Sequence, residues 1–102
     1  MSVYITARST VTHKEKYENE FLPAVVRVHQ MHGCKTIASG YANYILGGPA
    51  EDGARIAVIE CPNEAAARAL VESVKPIAET MQCLTNMRVS IVPAYSPEMA
   101  TA

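Results

Sequence analysis

Four side chains in this sequence carry groups that can hold or transfer a proton. His29 and His32 come near the end of a predicted helix, whereas Tyr4 and Glu60 lie on two predicted strands. An imidazole close to a carboxylate can exchange and orient protons, which general acid–base catalysis requires. A tyrosine hydroxyl can donate a hydrogen bond to a developing oxyanion. We expect the fold to gather these four groups at one edge of the sheet, where they would form a catalytic site.

A second set of side chains could hold a substrate. Arg8 and Arg55 lie at strand ends that an antiparallel sheet brings together, and clustered guanidinium groups suit a carboxylate or an enolate. Tyr41 and Tyr44 share another strand, where their rings could line a pocket for a planar ligand. Two other interpretations stay open, because the arginines could form salt bridges at the rim and the tyrosines could pack in a dimer interface.

The proton-transfer candidates also have purely structural explanations. His32 could bond the last carbonyl groups of its helix, where the helix dipole favours a positive charge. His29 could be a partly exposed residue on a helix face. Glu60 ends the most apolar strand, so it needs either a pocket or a partner such as an arginine or a backbone amide.

Several other chemistries lack their signature. The sequence has neither a GxSxG elbow nor a phosphate-cradling GxxxxGK loop. Cys34, Cys61 and Cys83 are widely spaced and fit buried free thiols. The pair His29 and His32 could share a helix face but has no evident third metal ligand. We therefore expect neither a metal site nor a bound cofactor.

Composition indicates one small soluble domain. The chain has 102 residues, of which 49% are hydrophobic and 19% charged, and its net charge is −1. Nucleic-acid binding depends on a basic surface, so we do not expect a nucleic-acid partner. No apolar run approaches the roughly 20 residues that cross a bilayer, and the first residues lack a signal-peptide pattern. We expect a cytoplasmic protein without a membrane partner.

Hydrophobic periodicity predicts six elements in the order β-α-β-β-α-β. The predicted strands cover residues 3–9, 35–46, 55–61 and 87–93. Asn63 is expected to cap the second helix, and Pro76 is expected either to end it or to start another short turn through Met81. Gly40 suggests a bulge in the second strand. The third strand is the most apolar, so we expect it inside the sheet.

The first helix has its own start, break and stop signals. Thr12 and Glu15 form the pattern of a capping box. Pro23 predicts a bend near residues 19–23, because an interior proline cannot donate a helical hydrogen bond. Gly33 suits the position just after the helix, where a left-handed backbone is common.

This order of elements is typical of a ferredoxin-like α+β fold. Right-handed crossovers predict a four-stranded antiparallel sheet in the order 4-1-3-2, with both helices on one face. The opposite face is bare and carries apolar groups, so we expect a second copy to cover it in a two-fold homodimer. Residues 1–95 would form the single domain and residues 96–102 a C-terminal tail.

The sequence also resembles a known family. The third strand ends in Val-Ile-Glu-Cys-Pro at residues 58–62 and leads into an alanine-rich helix, and Met31-His32-Gly33 ends the first helix. These motifs, spread over residues 3–92, resemble the domain-of-unknown-function family 1330 within the dimeric α+β barrel superfamily. The resemblance implies the fold and a homodimer. Members usually carry a glycine at Cys34 and an aromatic pair at Leu70 and Val71, so the resemblance implies a wider, more aliphatic pocket here.

The resemblance does not select a reaction. The superfamily includes cofactor-free monooxygenases, polyketide cyclases, lactone isomerases and haem enzymes, so the fold alone leaves the chemistry open. Our first hypothesis is an enzyme without a bound cofactor, doing isomerase-, cyclase- or lyase-type acid–base chemistry on a small carbonyl or aromatic compound. The alternatives are a non-catalytic metabolite-binding or interaction module and a cofactor-independent monooxygenase.

Overall fold

The computed structural model describes residues 2–41 and 53–95 of the chain. Its strands are β1 (Val3–Val11), β2 (Lys35–Tyr41), β3 (Ala54–Cys61) and β4 (Leu84–Pro93). The first helix consists of α1 (Lys14–Lys16), a π-helical turn (Tyr17–Phe21) and α2 (Leu22–Met31), and the second helix is α3 (Glu64–Met81). The predicted order of strands and helices is confirmed.

The four strands form one antiparallel sheet in the order β2-β3-β1-β4. This is the predicted order 4-1-3-2 written from the other edge, and it places β3 and β1 in the interior. In such a sheet, right-handed β-α-β crossovers place both helices on the same face. The ferredoxin-like α+β fold is therefore confirmed.

The first helix widens where its proline removes a hydrogen bond. Pro23 has no N–H for a helical bond, and one residue earlier the N–H of Leu22 bonds to the carbonyl of Tyr17. That bond spans five residues and defines the π-helical turn. A bend was predicted near residues 19–23, and the structure has this π-helical turn over Tyr17–Phe21 there instead. Gly33 follows the helix with a φ of +68° as expected.

The predicted capping box is wrong. The helix begins after His13, which makes no side-chain capping bond. The backbone N–H of Thr12 bonds to the carbonyl of Cys83 at 2.9 Å, and this bond leaves Thr12 one residue before the N-cap position. Its hydroxyl lies 3.0 Å from Nδ1 of His13 instead of reaching the amide of Glu15.

The second helix starts as predicted and continues past Pro76, the second of the two alternatives. The side chain of Asn63 accepts a hydrogen bond of 2.8 Å from the N–H of Ala66, so the predicted cap is confirmed. Pro76 does not end the helix, which continues to Met81. Ile77 and Met81 pack against buried residues beyond the proline, and this packing offsets the hydrogen bond that the proline lacks.

Two bulges differ from the sequence prediction. In β2 the register shifts between Thr36 and Ala38, whereas Gly40 pairs regularly with Ile56. In β4 the strand starts at Leu84, three residues earlier than predicted, and Asn86 adopts a φ of +54°. The residues of the second predicted strand after Tyr41 lie outside the described part of the chain.

The core lies between the sheet and the helices. Ile5, Ile59 and Leu70 are almost fully buried in one cluster, and Tyr17 and Phe21 belong to a second cluster under the first helix. Since side chains alternate along a strand, the neighbours of Ile5 and Ile59 point to the opposite face of the sheet. This face, called the bare face below, carries Tyr4, Thr6 and Arg8 from β1.

Gly53 precedes β3 at a position that only glycine fits. Its φ is +80°, and a Cβ there would lie 2.6 Å from the carbonyl oxygen of Val11. We expect Gly53→Ala to lower the free energy of unfolding by about 1–3 kcal/mol, because it combines an unfavourable backbone with a backbone clash. Chemical denaturation measures this loss. Gly40→Ala is the matched control, since nothing lies within 4 Å of its Cβ position, and a loss as large in that variant would contradict the explanation.

Candidate functional site

A large cavity separates the helix-facing side of the sheet from the helices. Its volume is about 1160 Å³, whereas small-molecule sites usually measure ~300–1,000 Å³. Most of its wall is apolar and includes Phe21, Val25, Leu70, Val74 and Val89. Such a wall suits a largely apolar ligand, and the few polar groups within it determine what chemistry the cavity could support.

His29 is a buried titratable group in the wall of this cavity. Its side chain is 6% exposed, and its Nδ1 lies 3.2 Å from the hydroxyl of Thr36. Its Nε2 is buried and has no hydrogen-bond partner in the described part of the chain. Burial lowers the pKa of His29 below its ordinary value of 6.5, so the imidazole is neutral at pH 7. In the tautomer whose Nδ1–H donates to Thr36, Nε2 carries a lone pair that can accept a proton.

Arg55 supplies the cationic group of the same cavity. Its Nη2 donates a hydrogen bond of 2.8 Å to the hydroxyl of Ser39. The guanidinium carbon lies 5.0 Å from the ring centre of Tyr17 and 5.1 Å from that of Tyr41. Within residues 2–41 and 53–95 no carboxylate pairs with it, and its Nε is buried without a partner. A guanidinium fixed by two rings and lacking an acidic partner is suited to bind an anionic oxygen.

Tyr41 lies on the edge strand β2 and its ring contacts the guanidinium of Arg55. Besides Arg55, the ammonium of Lys14 lies over its ring at 5.6 Å. Its hydroxyl is buried and unpartnered among the residues that the structure describes. The predicted neighbour Tyr44 lies outside those residues.

Tyr4 and Glu60 come together as predicted, but on the bare face. Their Cα atoms are directly opposite each other on β1 and β3. The hydroxyl of Tyr4 donates to the carboxylate of Glu60 at 3.0 Å, and the ammonium of Lys35 lies 3.4 Å from the other carboxylate oxygen. This hydrogen bond to Glu60 raises the pKa of Tyr4. Neither Tyr4 nor Glu60 lines the cavity.

The remaining candidates are divided between the two sides. Arg8 lies on the bare face opposite Arg88, so it does not share a site with Arg55. His32 joins the two helices, because its Nε2 lies 3.3 Å from the hydroxyl of Ser73. That hydroxyl already donates to the carbonyl of Ala69 at 2.9 Å, so His32 must be the donor. The expected gathering of four catalytic groups is therefore partial: His29 lines the cavity, and Tyr4, Glu60 and His32 lie elsewhere.

Some polar groups of the cavity had no signal in the sequence. Thr36 and Ser39 contribute hydroxyls from β2 to the same wall, although they are three residues apart. The bulge between Thr36 and Ala38 shifts the alternation, so period-two patterning would assign them to opposite faces. Gln82 and Asn86 line the exposed end through backbone conformations that side-chain pattern does not indicate.

Two of the three thiols are held in their unreactive, protonated form. All three cysteines are buried and free. Burial, together with the neighbouring thiol of Cys34, raises the pKa of Cys61 to about 12, and burial raises that of Cys83. Both are thus protonated at neutral pH, whereas the thiolate is the reactive form. Within the described ranges, no three His, Cys, Asp or Glu side chains lie close enough to hold a metal ion.

Comparison with known proteins identifies relatives of the sequence and of the fold. The family model described as a domain of unknown function, DUF1330, matches residues 2–95. No curated protein matches the chain. A protein of unknown function from Rhodopseudomonas palustris, RPA0582, superposes with a TM-score of 0.71 and 14% identity over 94% of this chain and 84% of its own.

A second solved structure has an assigned activity. SnoaB, a cofactor-independent oxygenase from Streptomyces nogalater, superposes with a TM-score of 0.64 and 12% identity over 93% of this chain and 94% of its own. At such identities the likeness concerns the fold, which hosts many functions. Among the helices described, none combines the length and apolar character needed to cross a membrane.

Proposed function

This chain belongs to the DUF1330 family, and from the geometry of its cavity we propose that it is a small-molecule enzyme that transfers protons without a bound cofactor. Its substrate would be a small carbonyl or aromatic compound that is largely apolar and carries one acidic oxygen. The observation that carries this proposal is that one cavity holds both the neutral His29, whose Nε2 has no partner within residues 2–41 and 53–95, and Arg55, which has no carboxylate partner in those same ranges.

In this proposal His29 is the general base. Its Nε2 takes a proton from the substrate carbon or hydroxyl, and the electrons of that bond move to the substrate oxygen as an enolate or phenolate. Returning the proton to another atom completes an isomerisation, and expelling a leaving group completes an elimination. Thr36 positions the imidazole through Nδ1, which keeps the reacting nitrogen unprotonated before the reaction.

Arg55 would stabilise the charge that forms. The guanidinium of Arg55 bonds to Ser39, which pairs with Ala57 on β3. Thr36, beside His29, pairs with Ile59. Ala57 and Ile59 are two residues apart along the strand, which corresponds to roughly 7 Å between the Arg55 contact and the His29 contact. A conjugated substrate spans that distance, so a proton lost at one end leaves its charge near the guanidinium at the other.

The elimination of 5-nitrobenzisoxazole tests this proposal directly. A base removes the ring C–H proton, the C–H electrons complete a nitrile, and the N–O bond breaks to release a coloured phenolate. We expect the wild-type protein to accelerate the reaction beyond free imidazole at the same concentration, with inhibition by 2-naphthoate. A rate no greater than that of free imidazole would argue for a non-catalytic binding module.

A cofactor-independent monooxygenase is the second candidate. The apolar wall of the cavity favours it, because molecular oxygen is apolar, and the fold is shared with an oxygenase of that kind. The deprotonated substrate would supply the electrons, one oxygen atom would enter the substrate and the other would leave as water. Oxygen uptake with 6-hydroxy-2-naphthoic acid that depends on His29 would favour this reaction over isomerisation.

We also propose that the bare face is covered by a second copy of this chain. Ile56 and Val92 on this face are 39% and 41% exposed, and Glu60 with its two partners lies beside them. An apolar patch with a polar border is typical of a protein interface.

Substitution on this face tests the dimer. We expect Ile56→Glu to weaken self-association on the order of 100-fold, because a two-fold interface would bury the new charge twice. Light scattering coupled to size exclusion gives the mass. Met31→Glu is the matched control, because Met31 is apolar and exposed but lies at the end of α2. Equal masses for wild type and Ile56→Glu would contradict the proposal.

A further inference from the structure

The exposed end of the cavity carries polar side chains that have no role in the proposed reaction. At the junction of α3 and β4 the wall changes from apolar to polar and includes Lys75, Glu79, Gln82, Thr85 and Asn86. All five side chains are exposed, so the cavity reaches solvent here. A ligand held at Arg55 would therefore meet a second polar region at its other end.

The register of the sheet sets the distance between these two regions. Arg55 on β3 pairs with Ser9 on β1. The register between β1 and β4 shifts between Arg8 and Thr10, so Asn86 and Met87 together lie in the bulge opposite Ser9. Arg55 and Asn86 thus stand in one row across the sheet, two strand spacings apart, which corresponds to about 10 Å.

The backbone at this end is held in conformations that side chains rarely adopt. Gln82 has a φ of +51° and Asn86 a φ of +54°, and they are the two non-glycine residues with positive φ in the described ranges. Glycine would fit both positions without strain. Strained residues of this kind concentrate at ligand sites, and here both carry a carboxamide that lines the cavity.

The charges at this end indicate what kind of group it would bind. Lys75 and Glu79 are one helical turn apart and have opposite charges, so their fields largely cancel. The carboxamides of Gln82 and Asn86 are neutral and can both donate and accept hydrogen bonds. A neutral hydroxyl or carbonyl fits such a region better than a second anion.

We propose that the ligand is a rigid, apolar molecule with an acidic oxygen at one end, held by Arg55, and a neutral hydrogen-bonding group at the other, recognised by Asn86 and Gln82. This inference rests on the proposed function, because it takes the Arg55 end as the anchor. It adds a specificity determinant on the opposite side of the cavity.

Three matched naphthalene acids test the proposal by calorimetry. They are 2-naphthoic acid, 6-hydroxy-2-naphthoic acid and 2,6-naphthalenedicarboxylic acid. We expect the hydroxy acid to bind about fivefold more tightly than 2-naphthoic acid, the gain from one neutral hydrogen bond, and the dicarboxylic acid to bind no better than 2-naphthoic acid.

The double variant Gln82→Gly with Asn86→Gly is the decisive sample. Glycine keeps the left-handed backbone and removes both carboxamides, and thermal unfolding checks that the fold is intact. We expect the affinity for 2-naphthoic acid to be unchanged and the preference for the hydroxy acid to disappear. A preference that survives in the double variant would overturn the inference, as would a dicarboxylic acid that binds most tightly.

The same data separate this inference from the proposed function. If 2-naphthoic acid binds and its affinity depends on Arg55, but the hydroxyl adds nothing, only the second end is overturned. If none of the three acids binds, or if Arg55→Ala leaves their affinities unchanged, Arg55 does not bind the acidic oxygen and both proposals are overturned.

Discussion

His29→Gln is expected to lower the rate of 5-nitrobenzisoxazole elimination by about 10²- to 10⁴-fold, which is the usual contribution of a positioned general base. Glutamine is polar and similar in reach to histidine, so it can still bond to Thr36, but it cannot accept a proton near neutral pH. The loss should appear in kcat, because the base acts only once the substrate is in place. Stopped-flow or plate absorbance of the phenolate measures it.

Two control variants make the assignment specific to the cavity. Glu60→Gln and His32→Gln remove the carboxylate on the bare face and the imidazole between the helices, both of which lie outside the cavity wall. We expect both to keep most of the wild-type rate. A large loss in Glu60→Gln with full activity in His29→Gln would move the base to the other face of the sheet.

The pH profile provides a second signature of His29. Burial lowers its pKa below 6.5, so the neutral, proton-accepting form persists below the pH at which a free histidine is protonated. The rate should therefore reach half of its neutral-pH value only below pH 6.5, as the imidazole takes up a proton. A rate that has already fallen to half of its neutral-pH value at or above pH 6.5 would contradict a buried base.

Elements with a strong repeating pattern could be predicted from the sequence. In β1, Val3 and Ile5 alternate with polar residues, and the order of elements leaves few arrangements for a sheet with one covered face. The cap at Asn63 and the stop at Gly33 depend on local chemistry and were also predictable. Such signals act within a few residues, and the fold keeps them at these two positions, whereas at Thr12 the backbone bond to Cys83 overrides the predicted capping box.

The candidate site was harder to predict because it depends on which face each strand residue occupies. Glu60 was expected beside the two histidines at one edge of the sheet, yet it follows Ile59, whose burial against the helices sends the next side chain to the bare face. The face of Glu60 could not be predicted from β3 alone, because residues 56–59 are all apolar and do not alternate. The polar wall from Thr36 to Ser39 could not be predicted either, because a one-residue bulge reverses the alternation without a residue type that announces it.

Tertiary packing outweighed local preference at Pro76 but not at Pro23. Pro23 perturbs the first helix into a π-helical turn, and that turn places Tyr17 against Arg55 while Phe21 lines the cavity. Pro76 is accommodated without a break because the last turns of α3 bury Ile77 and Met81. The same residue type thus shapes the site in one helix and leaves the other continuous.

Arg55→Ala is expected to weaken binding of 2-naphthoate by about 10- to 150-fold, which corresponds to the ~1.5–3 kcal/mol of hydrogen bonds to a charged group. The guanidinium is held by Ser39 and by the rings of Tyr17 and Tyr41, so it is already oriented before a ligand arrives. Preorganisation of this kind saves the ordering entropy that a mobile side chain would lose on binding. Calorimetry at two salt concentrations measures the affinity and its screening.

Two further variants separate charge from geometry at this position. Arg55→Lys keeps the positive charge but loses the planar fork and its stacking between two rings, so an intermediate affinity is expected if both features contribute. Arg8→Ala removes an arginine from the bare face, where it cannot reach the cavity, and should leave the affinity unchanged. Equal losses in Arg8→Ala and Arg55→Ala would mean that the acid responds to the overall charge of the protein, and the assignment of an anion-binding cavity would then be withdrawn.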